Sequence, residues 1–298
     1  MIRLAEEVRE ACSAGAAVVA LETTLVAHGF PPGEGVEVAL DAERQVREAG
    51  AVPATVGVLD GCVRVGLTPN ELARFGPDAR KVGPRDLAPA AVQGALGATT
   101  VGGTLAVARA AGIRVLATGG IGGVHRGFPD PPDISADLAQ LARAPALVVS
   151  AGAKSLLDVP ATAELLESLG IPVLGFRTDT LPLFYAAAGG PPVSARVASV
   201  QEAARIAEAH WQLGGAGLLL ARPPDEPLED VEPLIGEALQ AAAAAGVSGQ
   251  AVTPYVLASL HRASGGRTEQ ANKALVAGNA RLAGEVAVEL AGSGRQSP

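Results

Sequence analysis

The chain carries 23 lysines and arginines, but only three of them are lysines: Lys81, Lys154 and Lys273. Arginine keeps its proton in any protein environment, whereas a desolvated lysine sheds it and becomes an amine nucleophile. Lys154 sits in ALVVSAGAKSLLD, residues 146–158. The run of β-branched and aliphatic residues ending in small ones predicts a buried strand, a tight turn and a new helix, with Lys154 delivered to the open end of a sheet. A second reading stands beside this one: a composition rich in alanine, glycine and arginine has displaced most lysines, and Lys154 neutralises a partner.

Other residues have types suited to the same chemistry. Glu22 follows AAVVAL, read as a strand over Ala16–Leu21, and so falls at the carboxyl end where open α/β sheets bind ligands. A salt bridge to an arginine or a place beside a helix cap accounts for it more simply. Lys81, in KVGPRD, belongs to a charged loop around a Gly-Pro turn. TGGIGGVHRG (118–127) offers backbone amides and positive φ angles suited to a phosphate, with His125 and Arg126 behind it, but matches neither dinucleotide nor P-loop spacing. Asp133 and Asp137, four apart around Ser135, are able to share one side of a helical turn and offer oxygens to a hard divalent cation. They equally describe a capped helix start.

The elements that must position these groups follow from periodicity. Residues 1–14 show helical spacing with one charged face, and Val36–Ala49 forms a helix. The stretch 51–68, with Asp60-Gly61 at its middle, reads as a β-hairpin and Pro69–Phe75 as a short helix. Strands at Gly112–Ala117, Ala146–Ser150 and Pro172–Phe176 alternate with helical stretches, which predicts a mainly parallel central sheet flanked by helices, α/β/α. Later come a helix Val200–Leu213, a strand Gly217–Ala221, and helices over Leu228–Ala245, Val252–Arg262 and Thr268–Leu290. No linker divides the chain, so residues 1–290 are expected to form one catalytic domain and 291–298 a disordered tail.

A formal charge of -8 and a pI near 5.1 leave no basic face for a nucleic-acid polymer or an anionic membrane. No apolar run approaches the ~20 residues needed to span a bilayer. Cys12 and Cys62, without a CxxC motif or a secretory leader, suggest reduced thiols in a cytoplasmic protein.

Taken together, ALETTLVAHGFP (20–31), KVGPRDL (81–87), TGGIGGVHRG (118–127), DISADL (133–138), SAGAKSLLD (150–158), GFRTDTLPLFY (175–185), TPYVL (253–257) and ALVAGNA (274–280) resemble the pseudouridine-5'-phosphate glycosidases, also met as indigoidine-cluster proteins. The motifs occur in the family's order and span nearly the whole chain.

The resemblance implies reversible cleavage of pseudouridine 5'-phosphate to uracil and ribose 5-phosphate. Lys154 would be the nucleophile forming a covalent adduct with ribose C1', and Glu22 the proton donor. Asp133 would hold one Mn2+ per subunit, while Lys81, Val101, Ser135, Ala136 and Asp137 would contact substrate, with Lys81 on the phosphate and Thr118 on the phosphate-side loop. The assembly implied is a homotrimer. Gly83-Pro84 and the lone Asn279, where an Asn pair is typical, depart from the family pattern; Asn279 is the candidate for reading the uracil edge. Two other functions share these residues: a Schiff-base lyase acting on another phosphorylated sugar, and a non-catalytic phosphosugar-binding protein in which Lys154 is an ion-pair partner.

Overall fold

The computed structural model describes residues 1–129 and 132–293. The first third contains β1 (Ile2–Leu4), α1 (Glu6–Ser13), β2 (Val18–Leu21), α2 (Thr24–His28), α3 (Glu34–Glu48), the hairpin β3 (Val52–Leu59) and β4 (Cys62–Val65), α4 (Pro69–Leu72), β5 (Arg80–Val82), α5 (Leu87–Val92) and β6 (Gly97–Thr99). The middle holds α6 (Val101–Ala111), β7 (Val115–Ala117), β8 (Val124–His125), α7 (Ala136–Leu141), β9 (Leu147–Ser150), β10 (Leu157–Asp158), α8 (Val159–Ser168) and β11 (Val173–Phe176). The last third adds β12 (Ala195–Val197), α9 (Val200–Gln212), β13 (Leu218–Ala221), α10 (Glu232–Ala244), α11 (Val252–Ala263) and α12 (Arg267–Ser293).

Eleven strands form one sheet whose path runs β1-β4-β3-β2-β7-β9-β13-β11-β12, with β6 and then β5 attached to β3. From β3 to β12 every neighbouring pair along this path is parallel, as expected for the central sheet, and antiparallel pairing is confined to the β3 side. The parallel strands are apolar on both faces because helices cover both. On β2, Val18 and Ala20 enter one core while Val19 and Leu21 enter the other, and Val148 and Val149 divide the same way on β9. The second core lies beneath α3, α9 and α12.

The Asp60-Gly61 turn has φ of 51° and 73°, the pair of positive angles that closes a two-residue hairpin. Four sequence expectations change. Residues 1–14 are not one helix: Ala5 is extended, its N–H bonded to Val65 O at 2.8 Å, so Ile2–Leu4 pairs with β4 before α1 begins. Lys81 stands on β5, opposite Ala98, rather than in a loop. The strand expected over Gly112–Ala117 begins only at Val115, because Gly112, in the left-handed region, ends α6, which Thr100 caps. Finally, α12 continues to Ser293, so 291–293 are helical; the rest of the expected tail, 294–298, lies outside the described residues.

Candidate active site

The sheet's strand order reverses at β2. The chain leaves β2 for β3 on one side and later returns to the other side with β7, followed by β9. Ligands in open α/β sheets bind at such a switch point, outside the carboxyl ends of the strands. Here Leu21, Ala117 and Val149 lie in register on adjacent strands, so Glu22 and Thr118 emerge side by side. Lys154 arrives by a continuation of the same pairing. Ala151 N–H bonds Gly119 O at 2.9 Å, Ile121 N–H bonds Gly152 O at 3.0 Å, and Lys154 N–H bonds Ile121 O at 3.1 Å. Two loops thus run beside each other past the sheet edge. Gly152 is required in this path, since its φ is +82° and a Cβ would stand 2.2 Å from Pro182 O. Lys154 therefore sits on an extended loop, and the helix expected directly after it begins at Val159, capped by the Asp158 carboxylate.

These residues line a cleft of about 830 Å³. Glu22 is 8% exposed and receives the Thr118 hydroxyl hydrogen bond. Burial pushes its carboxyl above the usual glutamate range, against the pull of the Lys154 ammonium and the Thr118 hydroxyl. Burial and the neighbouring Lys154 push the Lys81 amine below the usual lysine range. Thr118 lines the cleft with Gly119, Gly120 and Gly122, and its hydroxyl is given to Glu22. Arg126 likewise serves structure, donating to Ser155 O and Leu157 O and pairing with Glu232.

Asp133 and Asp137 do not share a helical face. Asp133 precedes α7, and Ser135 caps that helix by accepting the Asp137 N–H at 3.2 Å. The Asp137 carboxylate is buried and accepts Gly102 N–H at 2.7 Å and Gly122 N–H at 2.8 Å, one on each oxygen. It ties the start of α6 to the glycine loop. Gly122 permits this approach, because a Cβ there would meet Ser135 Oγ at 2.3 Å. Asp137→Ala is expected to lower unfolding stability by about 3 kcal/mol, the sum of two hydrogen bonds to a charged acceptor, read from the urea midpoint.

The clamp leaves the Val101 and Ala136 N–H groups, at the first positions of α6 and α7, without a hydrogen bond among the described residues, and both residues line the cleft. Lys81 shares the cleft lining with these two residues, and unbonded amides at helix starts favour anions. Asp133 lines the cleft together with Glu22, Asp86 and Asp137, and His125 Nδ1 lies 3.7 Å from its Oδ2. Among the described residues no cluster of three or more His, Cys, Asp or Glu is present. The donor set fits a hard ion held by one carboxylate and otherwise by water and substrate oxygens.

Asn279 does not face the cleft. It is fully buried, and its Nδ2 donates to Thr118 O at 2.8 Å and Gly119 O at 3.3 Å, bracing the glycine loop from below. Two turns earlier, Asn272 does line the cleft, is only 3% exposed, and its amide makes no hydrogen bond among the described residues. The sequence signal for it was a polar residue on the stripe that also contains Leu275, Val276 and Leu282. His28, Thr100, Gln140 and Arg143 complete the polar lining that spacing did not single out as functional.

A family model described as indigoidine synthase A like protein matches residues 7–289. The chain is 48% identical to the pseudouridine-5'-phosphate glycosidase of Chloroflexus aurantiacus, covering 97% of this chain and 99% of that protein. It is 47% identical to the same-named protein of Herpetosiphon aurantiacus, covering 96% and 97%. Among solved structures it is similar to the prealnumycin C-glycosynthase AlnA in complex with ribulose 5-phosphate, at a TM-score of 0.90 and 43% identity over 100% of this chain and 99% of that one. It is also similar to an IdgA-like protein of Thermotoga maritima, at a TM-score of 0.87 and 38% identity over 98% and 97%. The fold, the matched length and these identities show that the chain belongs to the indigoidine synthase A like family.

Proposed function

We propose that this protein is a pseudouridine-5'-phosphate glycosidase that reversibly cleaves the C–C glycosidic bond to uracil and ribose 5-phosphate. The observation that carries this reading is the placement of a buried Glu22, its carboxyl pushed above the usual glutamate range, within electrostatic reach of Lys154 at the switch point of the sheet. The curated relatives bear this activity in their names, and AlnA holds a five-carbon sugar phosphate.

The chemistry follows from that pair. The phosphate sits on the Val101 and Ala136 amides and Lys81, placing ribose C1' toward Lys154. The Lys154 amine attacks C1' while Glu22 gives its proton to the ring oxygen, so the C1'–O bond breaks and the sugar opens. The new secondary ammonium returns a proton to Glu22, which passes it to uracil C5. The nitrogen lone pair then forms C1'=N as the C1'–C5 bond breaks, releasing uracil. Water hydrolyses the imine to ribose 5-phosphate and the lysine amine. The covalent route divides one hard step into two. The Asn272 amide, with one donor and one acceptor, complements a carbonyl and N–H edge of the base.

Asp133 would hold the divalent ion expected to be Mn2+, which supplies charge neutralisation and an ordered water. Calorimetric titration of Mn2+ is expected to show one site per chain that is lost in Asp133→Ala and retained in Asp137→Ala, separating the two carboxylates. Among the described residues no helix is long and apolar enough to cross a membrane, which is compatible with the cytoplasmic homotrimer this reading includes. The deciding assay is uracil release from pseudouridine 5'-phosphate with Mn2+. Ribose phosphate turnover without uracil release would favour the lyase, and binding without turnover the phosphosugar-binding protein.

A further inference from the structure

His28 ends α2 on the wall of the cleft that also contains Leu25, Pro254, Leu257 and Asn272. Phe30, just beyond α2, stacks on His261 of α11 with ring centroids 6.3 Å apart, which ties α2 to α11 at this part of the cleft. Its apolar side chains suit the faces of a flat ring rather than a phosphate. His28 Nε2 lies 3.0 Å from Ala79 O. A carbonyl oxygen only accepts, so Nε2 carries the hydrogen and the neutral ring presents Nδ1 as a lone-pair acceptor. Burial favours that neutral form. Nδ1 makes no hydrogen bond among the described residues and is not among the enclosed polar atoms without partners, so it opens to the cleft. A ligand that displaces water from this acceptor keeps the bond only by offering a donor of its own.

We infer that His28 Nδ1 accepts a hydrogen bond from a ring N–H of the base and is a specificity-determining residue of this site. The inference rests on the proposed substrate. A uracil joined through C5 carries N–H at both N1 and N3, whereas a uracil joined through N1 carries only one, so an acceptor in the base pocket can count them. Asn272 reads one carbonyl and N–H edge, and His28 takes the other N–H.

The test compares kcat/KM for pseudouridine 5'-phosphate with its N1-methyl and N3-methyl derivatives in wild type, His28→Gln and His28→Asn. Glutamine keeps a donor for Ala79 O but removes the acceptor at Nδ1, whereas the asparagine oxygen falls near the Nδ1 position. In wild type, methylation at the nitrogen facing His28 is expected to cost at least about 100-fold, because a site built to bond an N–H strongly rejects an analogue without it. In His28→Gln that penalty is expected to shrink below about 10-fold, and in His28→Asn to be partly restored. Equal methylation penalties in wild type and His28→Gln would overturn the inference, as would a change confined to a 2'-deoxyribose substrate, which would place a sugar hydroxyl at Nδ1. Absence of uracil release by wild type would instead overturn the substrate reading itself.

Discussion

Lys154→Ala is expected to lower uracil release from pseudouridine 5'-phosphate by at least about 10⁴-fold, because the bond-splitting route runs through its amine. Removal of a covalent nucleophile is among the largest single-residue effects in enzymes, reaching ~10⁶-fold in kcat. The loop that carries Lys154 is held by backbone pairing to the glycine loop, so the substitution removes the amine and leaves the pairing in place. The variant should therefore bind ribose 5-phosphate with little change. Borohydride reduction of wild type with ribose 5-phosphate should add one sugar phosphate per chain by intact mass, and the adduct should map to Lys154. Lys81 stands near enough for its charge to sense Lys154, yet it should remain unmodified. An adduct on Lys81, or uracil release persisting within tenfold in Lys154→Ala, would reverse the assignment.

The second large effect concerns Glu22. Glu22→Gln preserves the shape and the acceptor for the Thr118 hydroxyl but removes the transferable proton. Its kcat is expected to fall by about 10³-fold, in the range by which positioned acids and bases contribute. The pH dependence has a definite sign. The folded carboxyl holds its proton above the usual glutamate value of 4.5, so the wild-type kcat should decline as pH rises through that elevated value. The Gln variant should lack this limb. The same shift acts on stability. Between pH 4.5 and the elevated pKa the folded state binds more protons than the unfolded one, so this group's contribution to stability falls as pH rises. Glu22→Gln should therefore match wild type near pH 4 and exceed it toward neutrality, as read by melting temperature across pH. A variant that loses activity yet is less stable than wild type at neutral pH would show Glu22 to be an ionised structural partner of Lys154 instead of an acid.

Asp133 and Asp137 illustrate how spacing along a chain differs from position in a fold. Four residues apart suggested one helical face, but Ser135 starts the helix between them and turns Asp137 inward. Its partners, Gly102 and Gly122, come from two other segments, and no local rule anticipates a carboxylate shared by backbone amides that only folding brings together. The two asparagines of α12 make the same point. Both occupy the apolar stripe of the helix, and packing decides which is consumed beneath the glycine loop and which opens to the cleft.

The sequence by itself determined the parallel α/β architecture, through strands apolar on both faces alternating with amphipathic helices. It also placed Glu22 and Lys154 past strand ends, with a structural reading left open for each, and the family resemblance gave them their roles. Tertiary structure alone decided that β2, β7 and β9 are neighbours, which sets the proton donor beside the amine. It likewise decided that Thr118 supports Glu22 and that Asn272, not Asn279, lines the cleft. Local periodicity reports which side of an element is buried, whereas strand order and the approach of distant backbone amides are set by how all the elements pack together.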